Sequence, residues 1–91
     1  MAHYDSASLA ETLKRLIRSQ MILKGVDYNQ LSALLAKMGI EQSSGTLRTK
    51  VSTATLGAQL LLAIMIALDV KTLDMEQVGD VWRELDQGSA E

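Results

Sequence analysis

Apolar residues recur at three- and four-residue spacings along most of this 91-residue chain, and the rhythm breaks at a handful of polar or glycine positions. Residues at those spacings share one face of an α-helix. Leu9, Leu13, Leu16, Ile17, Met21 and Leu23 make the stripe of a first helix. Ser8-Leu-Ala-Glu11 ahead of it reads as a capping box, in which the Ser side chain accepts an orphan N–H and the Glu reaches back. Gly25 supplies the stop, since glycine takes the left-handed conformation without steric cost. Asp27-Tyr-Asn-Gln30 repeats the cap before a second helix with Leu31, Leu34, Leu35 and Met38 inward, ending at Gly39.

After a short connection through Ile40, Glu41 and Gln42, Ser43 or Ser44 caps a third helix whose inward pair is Leu47 and Val51. Gly45, Thr49, Ser52 and Thr53 then point outward, with Arg48 and Lys50 flanking them. Thr55 or a neighbour caps a fourth helix over 56–68, in which Gln59 is the only polar side chain; a helix apolar all round is expected to be buried on most sides. Asp74 caps the last helix, with Met75, Val78, Trp82 and Leu85 on one face and acids on the other. No alternating strand pattern appears. The predicted fold class is all-α: a compact bundle of five short helices in a single domain 1–91. Its core spans about 8–73, an acidic C-terminal helix spans about 74–87, and the ends 1–6 and 87–91 are expected to fray.

Composition narrows this further. The chain has no Cys, Pro or Phe, which excludes disulfides and thiolate metal sites. The longest apolar run, 56–68, falls short of the roughly 18 to 20 residues needed to span a bilayer, so it reads as a core helix rather than a membrane anchor. The N-terminus shows no basic-then-apolar export signal, and a cytoplasmic protein is expected. A single His (His3), no Cys nucleophile, no phosphate-cradling glycine loop and no carboxylate cluster at ligand spacing argue against an enzyme, a metal site or a cofactor.

Charge is unevenly spread. The net value is −2, yet residues 1–68 hold seven bases against four acids, and residues 69–91 hold two bases against seven acids. From Gln42 to Leu68 there is no acid at all. A donor-rich, carboxylate-free stretch around Arg48 and Lys50 suits a polyanion, because backbone binding rests on Lys and Arg displacing counterions from phosphates. Lys14, Arg15 and Arg18 fall opposite the stripe of the first helix.

The order of parts carries a resemblance. A helix, Gly25, Asp27-Tyr-Asn-Gln-Leu-Ser-Ala-Leu-Leu-Ala-Lys-Met-Gly-Ile40, a hydroxyl-rich helix with Leu47 and Val51, then Leu60-Leu-Leu-Ala-Ile-Met-Ile-Ala-Leu-Asp-Val70 and Leu73 resembles the lambda repressor-like, Cro/C1-type helix-turn-helix domains over about residues 12 to 75. Within that clan it looks closest to a small bacterial family of unknown function. Typical members place the turn Gly five residues after the helix-two Leu; here Leu31 to Gly39 is eight, so either helix two or the turn is enlarged.

The resemblance implies a transcriptional regulator that binds duplex DNA as a homodimer, with helix three in the major groove. Gln42, Ser43, Ser44, Thr46 and Thr49 would approach base edges, with Ser52 and Thr53 on the same face. Arg48 and Lys50 would take phosphates, Arg48 also suiting guanine, and Lys14, Arg15 and Arg18 would be auxiliary phosphate contacts. Met75, Val78, Trp82 and Leu85 form the expected dimer interface. The alternative from another class is a protein partner: an antitoxin-like or adaptor module on the same scaffold that does not bind DNA.

Overall fold

The structure, a computed structural model, describes residues 7–90, with side chains through Gln87. It contains five helices: α1 (Ala7–Lys24), α2 (Tyr28–Lys37), α3 (Ser44–Thr53), α4 (Gly57–Ala67) and α5 (Met75–Ala90), with no strand among the described residues. The core is built from residues four apart on successive helices: Ile17 and Met21 of α1, Leu31 and Leu35 of α2, Leu47 and Val51 of α3. Ala63 and Ile64 of α4, with Leu56 and Leu68 at its ends, complete it. Burying each large aliphatic side chain among these stabilises the fold by about 1.5–3 kcal/mol. All of them lie between residues 17 and 68, so α5 stands outside the core.

Four helix ends share one device. Gly25, Gly39, Ala54 and Asp69 take the left-handed conformation, with φ of 67°, 82°, 55° and 59°. In each case the next residue's N–H turns back to a carbonyl of the last helical turn: Val26 to Met21 at 2.9 Å, Ile40 to Leu35 at 3.0 Å, Thr55 to Lys50 at 2.9 Å and Val70 to Met65 at 3.0 Å. This is the Schellman arrangement, which satisfies otherwise orphaned carbonyls. Val26, Ile40 and Val70 then pack against the core, so each closure also sets the direction of the chain that follows.

α5 runs antiparallel to α1. Ser8 Oγ donates to Asp86 Oδ1 at 3.1 Å at one end, and Leu23 shares a groove with Leu73 and Asp74 at the other. The half-buried Val78, Val81, Trp82 and Leu85 belong to this lateral helix.

Several expectations are corrected. α1 is already helical at Ala7, so Ser8 is not its N-cap; Ser8 is spent on Asp86, and Glu11 pairs with Lys14 and Arg15 instead of reaching back. Leu9 and Leu23 are exposed, as is Met38, because α2 stops at Lys37. The start of α4 has no side-chain cap, the Thr55 hydroxyl lying 2.8 Å from that of Thr53. Nor is α4 buried on most sides: Leu62 and Ile66 are 63% and 66% exposed, since α5 covers α1 and leaves that face of α4 open. α5 continues to Ala90, past the expected end at 87. Fraying at 1–6, residue 91 and His3 lie outside the described residues. Among the described residues no single helix is long and apolar enough to cross a membrane, and α3 and α4 are bent by 117° relative to one another.

Candidate nucleic-acid interface

The presentation of α3 begins in α2. Asp27 and Gln30 close a full capping box, Gln30 N–H donating to Asp27 Oδ1 and Asp27 N–H donating to Gln30 Oε1, both at 2.8 Å. That fixes the first turn of α2 and with it Tyr28. The six residues 38–43 join α2 to α3, longer than the 3–4-residue turn of an ordinary helix-turn-helix. Ile40 anchors this connection in the core, and Ser32 Oγ donates to the Gln42 carbonyl at 2.6 Å. Ser43, in extended conformation, caps α3: its Oγ accepts the Thr46 N–H at 3.1 Å and lies 2.8 Å from Thr46 Oγ1.

α3 has two unlike sides. Leu47 and Val51 are 0% exposed, whereas Gly45, Thr46, Arg48, Thr49, Ser52 and Thr53 are exposed; Gln42, Ser44 and Lys50 are half-buried. Lys50 Nζ donates to Gln42 Oε1 at 3.3 Å, holding the lysine on the side of the incoming connection. Thr53 Oγ1 donates to the Thr49 carbonyl at 2.7 Å, which ties its hydroxyl to the helix rather than to solvent.

The opposite flank gathers two arginines from different helices. Arg18 of α1 donates from Nη2 to Ser52 Oγ at 3.1 Å. The Arg48 guanidinium lies over the Tyr28 ring, 5.2 Å from its centroid. Both arginines line one shallow depression with Tyr28, Ile22 and Asp27. Among the described residues the ion pairs are Glu11–Lys14, Glu11–Arg15, Asp69–Lys71 and Asp80–Arg83, so no ion pair occupies a cation of α3 or Arg18.

The expected auxiliary set divides. Lys14 and Arg15 sit 2.8 and 3.1 Å from Glu11, whose carboxyl they hold below the ordinary carboxylate range, chiefly through the hydrogen bond from Lys14 and then that from Arg15. Only Arg18 of the three reaches α3. The expected dimer set divides too: Met75 is 62% exposed, while Val78, Trp82 and Leu85 are half-buried on the helix that packs along α1.

Reading the chain alone missed Tyr28 and Ser32. The only signal for Tyr28 was that one of just three aromatic residues stands in the turn directly after a helix cap. Ser32 gave none, being one hydroxyl among many.

No curated protein and no solved structure matches the chain. Residues 9–73 match the family described as a domain of unknown function, DUF6471, a span that ends just before α5, and the chain belongs to that family.

Proposed function

We propose that this protein binds duplex DNA as a regulator of the Cro/C1 helix-turn-helix type, with α2 and α3 as the motif and α3 as the reader. One observation carries the reading: α3 buries Leu47 and Val51 completely while its other side exposes hydroxyls and Arg48, free of any carboxylate of its own. Thr46, Thr49 and Ser52 supply hydrogen-bonding groups for base edges. Arg18 and Arg48 on one flank and Lys50 on the other supply phosphate contacts.

The reading includes a homodimer on a two-fold operator, with half-sites about one helical turn, roughly 34 Å, apart. Leu62 and Ile66, left exposed on α4, offer apolar surface for a second copy. Duplex affinity measured against salt is the test. Three phosphate contacts per copy give a log–log slope of about −2.7 per half-site. A flat slope, or no binding at low salt, removes the reading. The same exposed face supports the second reading, a protein partner for a scaffold that does not touch DNA. A defined protein that co-elutes while duplex DNA leaves the elution volume unchanged would decide for it.

A further inference from the structure

We infer that Tyr28 is a positioning residue: it holds Arg48 beside Arg18, so that two guanidinium groups from α3 and α1 grip the DNA backbone side by side, one phosphate each, at the edge of the reader helix. The inference rests on the DNA reading of α3 and assigns a place and a mechanism to a contact that reading leaves general.

Arg48 is exposed, and an exposed arginine samples many rotamers that binding must then restrict. The ring of Tyr28 reduces that freedom in advance. It stands at the start of α2, immediately after the Asp27–Gln30 cap, and is itself half-buried against the core. A guanidinium 5.2 Å from a ring centroid is within range of attraction by the ring's negative face. Held there by its charge, Arg48 keeps its N–H donors for another acceptor.

Arg18 is fixed differently. Its Nη2 donates to Ser52 Oγ, which uses one of five N–H donors and leaves the fork that matches phosphate oxygens. Both side chains border the same depression, and the one acid there, Asp27, already accepts the Gln30 amide as the cap of α2. The Tyr28 hydroxyl is buried with no hydrogen-bond partner, so what the side chain contributes at this place is its ring rather than its oxygen.

The experiment compares wild type, Tyr28→Phe, Tyr28→Leu and Arg18→Ala, each checked for unchanged helical circular dichroism. In the free protein, NMR should find the Arg48 side-chain protons shifted upfield by the ring in wild type and Tyr28→Phe, and unshifted in Tyr28→Leu. With a duplex DNA probe titrated across salt, Tyr28→Phe should bind as wild type and Tyr28→Leu about two- to fivefold more weakly. Arg18→Ala should flatten the salt slope by about 0.9. No binding by wild type at low salt overturns the DNA reading and this inference together. Wild-type binding overturns this inference alone if Arg48 lacks the ring shift, if Tyr28→Leu binds equally well, or if Arg18→Ala keeps the full slope. Should Tyr28→Leu fail to fold, the wild-type shift and the Arg18→Ala slope still decide.

Discussion

Arg18 and Ser52, 34 positions apart, are joined by a 3.1 Å hydrogen bond that carries a cation of α1 onto the outer side of α3. Lys14 and Arg15, on the preceding turn of the same helix, turn instead to Glu11. The three basic residues of α1 are therefore inequivalent despite their common face. Replacing Lys14 and Arg15 together by Ala should leave the salt dependence of duplex binding unchanged to within about half of one phosphate contact. A loss of slope close to two contacts would return both residues to the interface.

Trp82 Nε1, like the Tyr28 hydroxyl, is buried without a partner. Leaving such a group unsatisfied costs about 1–3 kcal/mol. Trp82→Phe removes the orphan donor at the cost of some packing, so its net effect on unfolding free energy should be within about 1 kcal/mol of zero, whereas Trp82→Ala, at a half-buried position outside the core, should cost about 1–2 kcal/mol. Urea denaturation of the two variants measures both. Equal, large losses would mean that the indole N–H has a partner.

The helix ends offer a paired substitution. A Cβ built on Gly39 meets nothing within 4 Å, but φ is +82°, so Gly39→Ala should destabilise by about 1–2 kcal/mol through backbone conformation alone. Ala54 already bears that strain at φ 55°, and Ala54→Gly should be neutral or stabilising by up to about 1 kcal/mol. Thermal unfolding of both, followed by circular dichroism, should move the midpoint down for the first and not for the second.

These same positions mark how far the fold was legible. Gly25 and Gly39 announced their turns because glycine is the residue that adopts the left-handed conformation freely. Ala54 and Asp69 make the same turn without that signature, so the ends of α3 and α4 had to be read from where the apolar pattern faded. The Asp27–Gln30 box and the Leu47/Val51 pair were readable because both are local. Ser8-Leu-Ala-Glu11 has the same local form, yet its roles are set by Asp86, 78 positions away, and by two cations on its own helix. The site was legible in the same proportion: the outward side of α3 followed from helical periodicity, while the Arg48–Tyr28 and Arg18–Ser52 contacts depend on how three helices pack.

Glu11 carries a pH signature. Its carboxyl is held below its ordinary 4.5, mainly by the hydrogen bonds from Lys14 and Arg15, and Asp69 is likewise held below 3.8 by Lys71. A carboxylate with a depressed folded-state pKa contributes stability that is present above its unfolded value and lost as pH falls through the folded one. The melting temperature should therefore decline as pH drops below about 4.5, and Glu11→Gln should flatten the first part of that decline. Asp69 is exposed and Glu11 half-buried, so added salt should shrink the difference, least for Glu11. An identical acid limb in Glu11→Gln would show the pairs to be energetically silent.

The acidic helix offers the most direct electrostatic prediction. All core residues lie between 17 and 68, and the only side chains of α1 buried in its first two turns are the polar Ser8 and Thr12, so removing 74–91 uncovers little large apolar surface there. The shortened chain should still unfold cooperatively, though with less helix. The deletion takes away Asp74, Glu76, Asp80, Glu84, Asp86 and Glu91 with only Arg83, moving the net charge from −2 to +3. If α3 meets DNA, those acids repel the polyanion from a distance, and distance makes the effect sensitive to ions. At roughly 0.01 M salt the screening length is about 30 Å, so the deletion should raise duplex affinity several-fold. At about 0.15 M it falls to about 8 Å, and the two proteins should bind nearly alike. A gain that persists undiminished at the higher salt would instead mean that α5 physically covers the surface DNA uses, and a loss of affinity would mean that α5 contributes to the bound state.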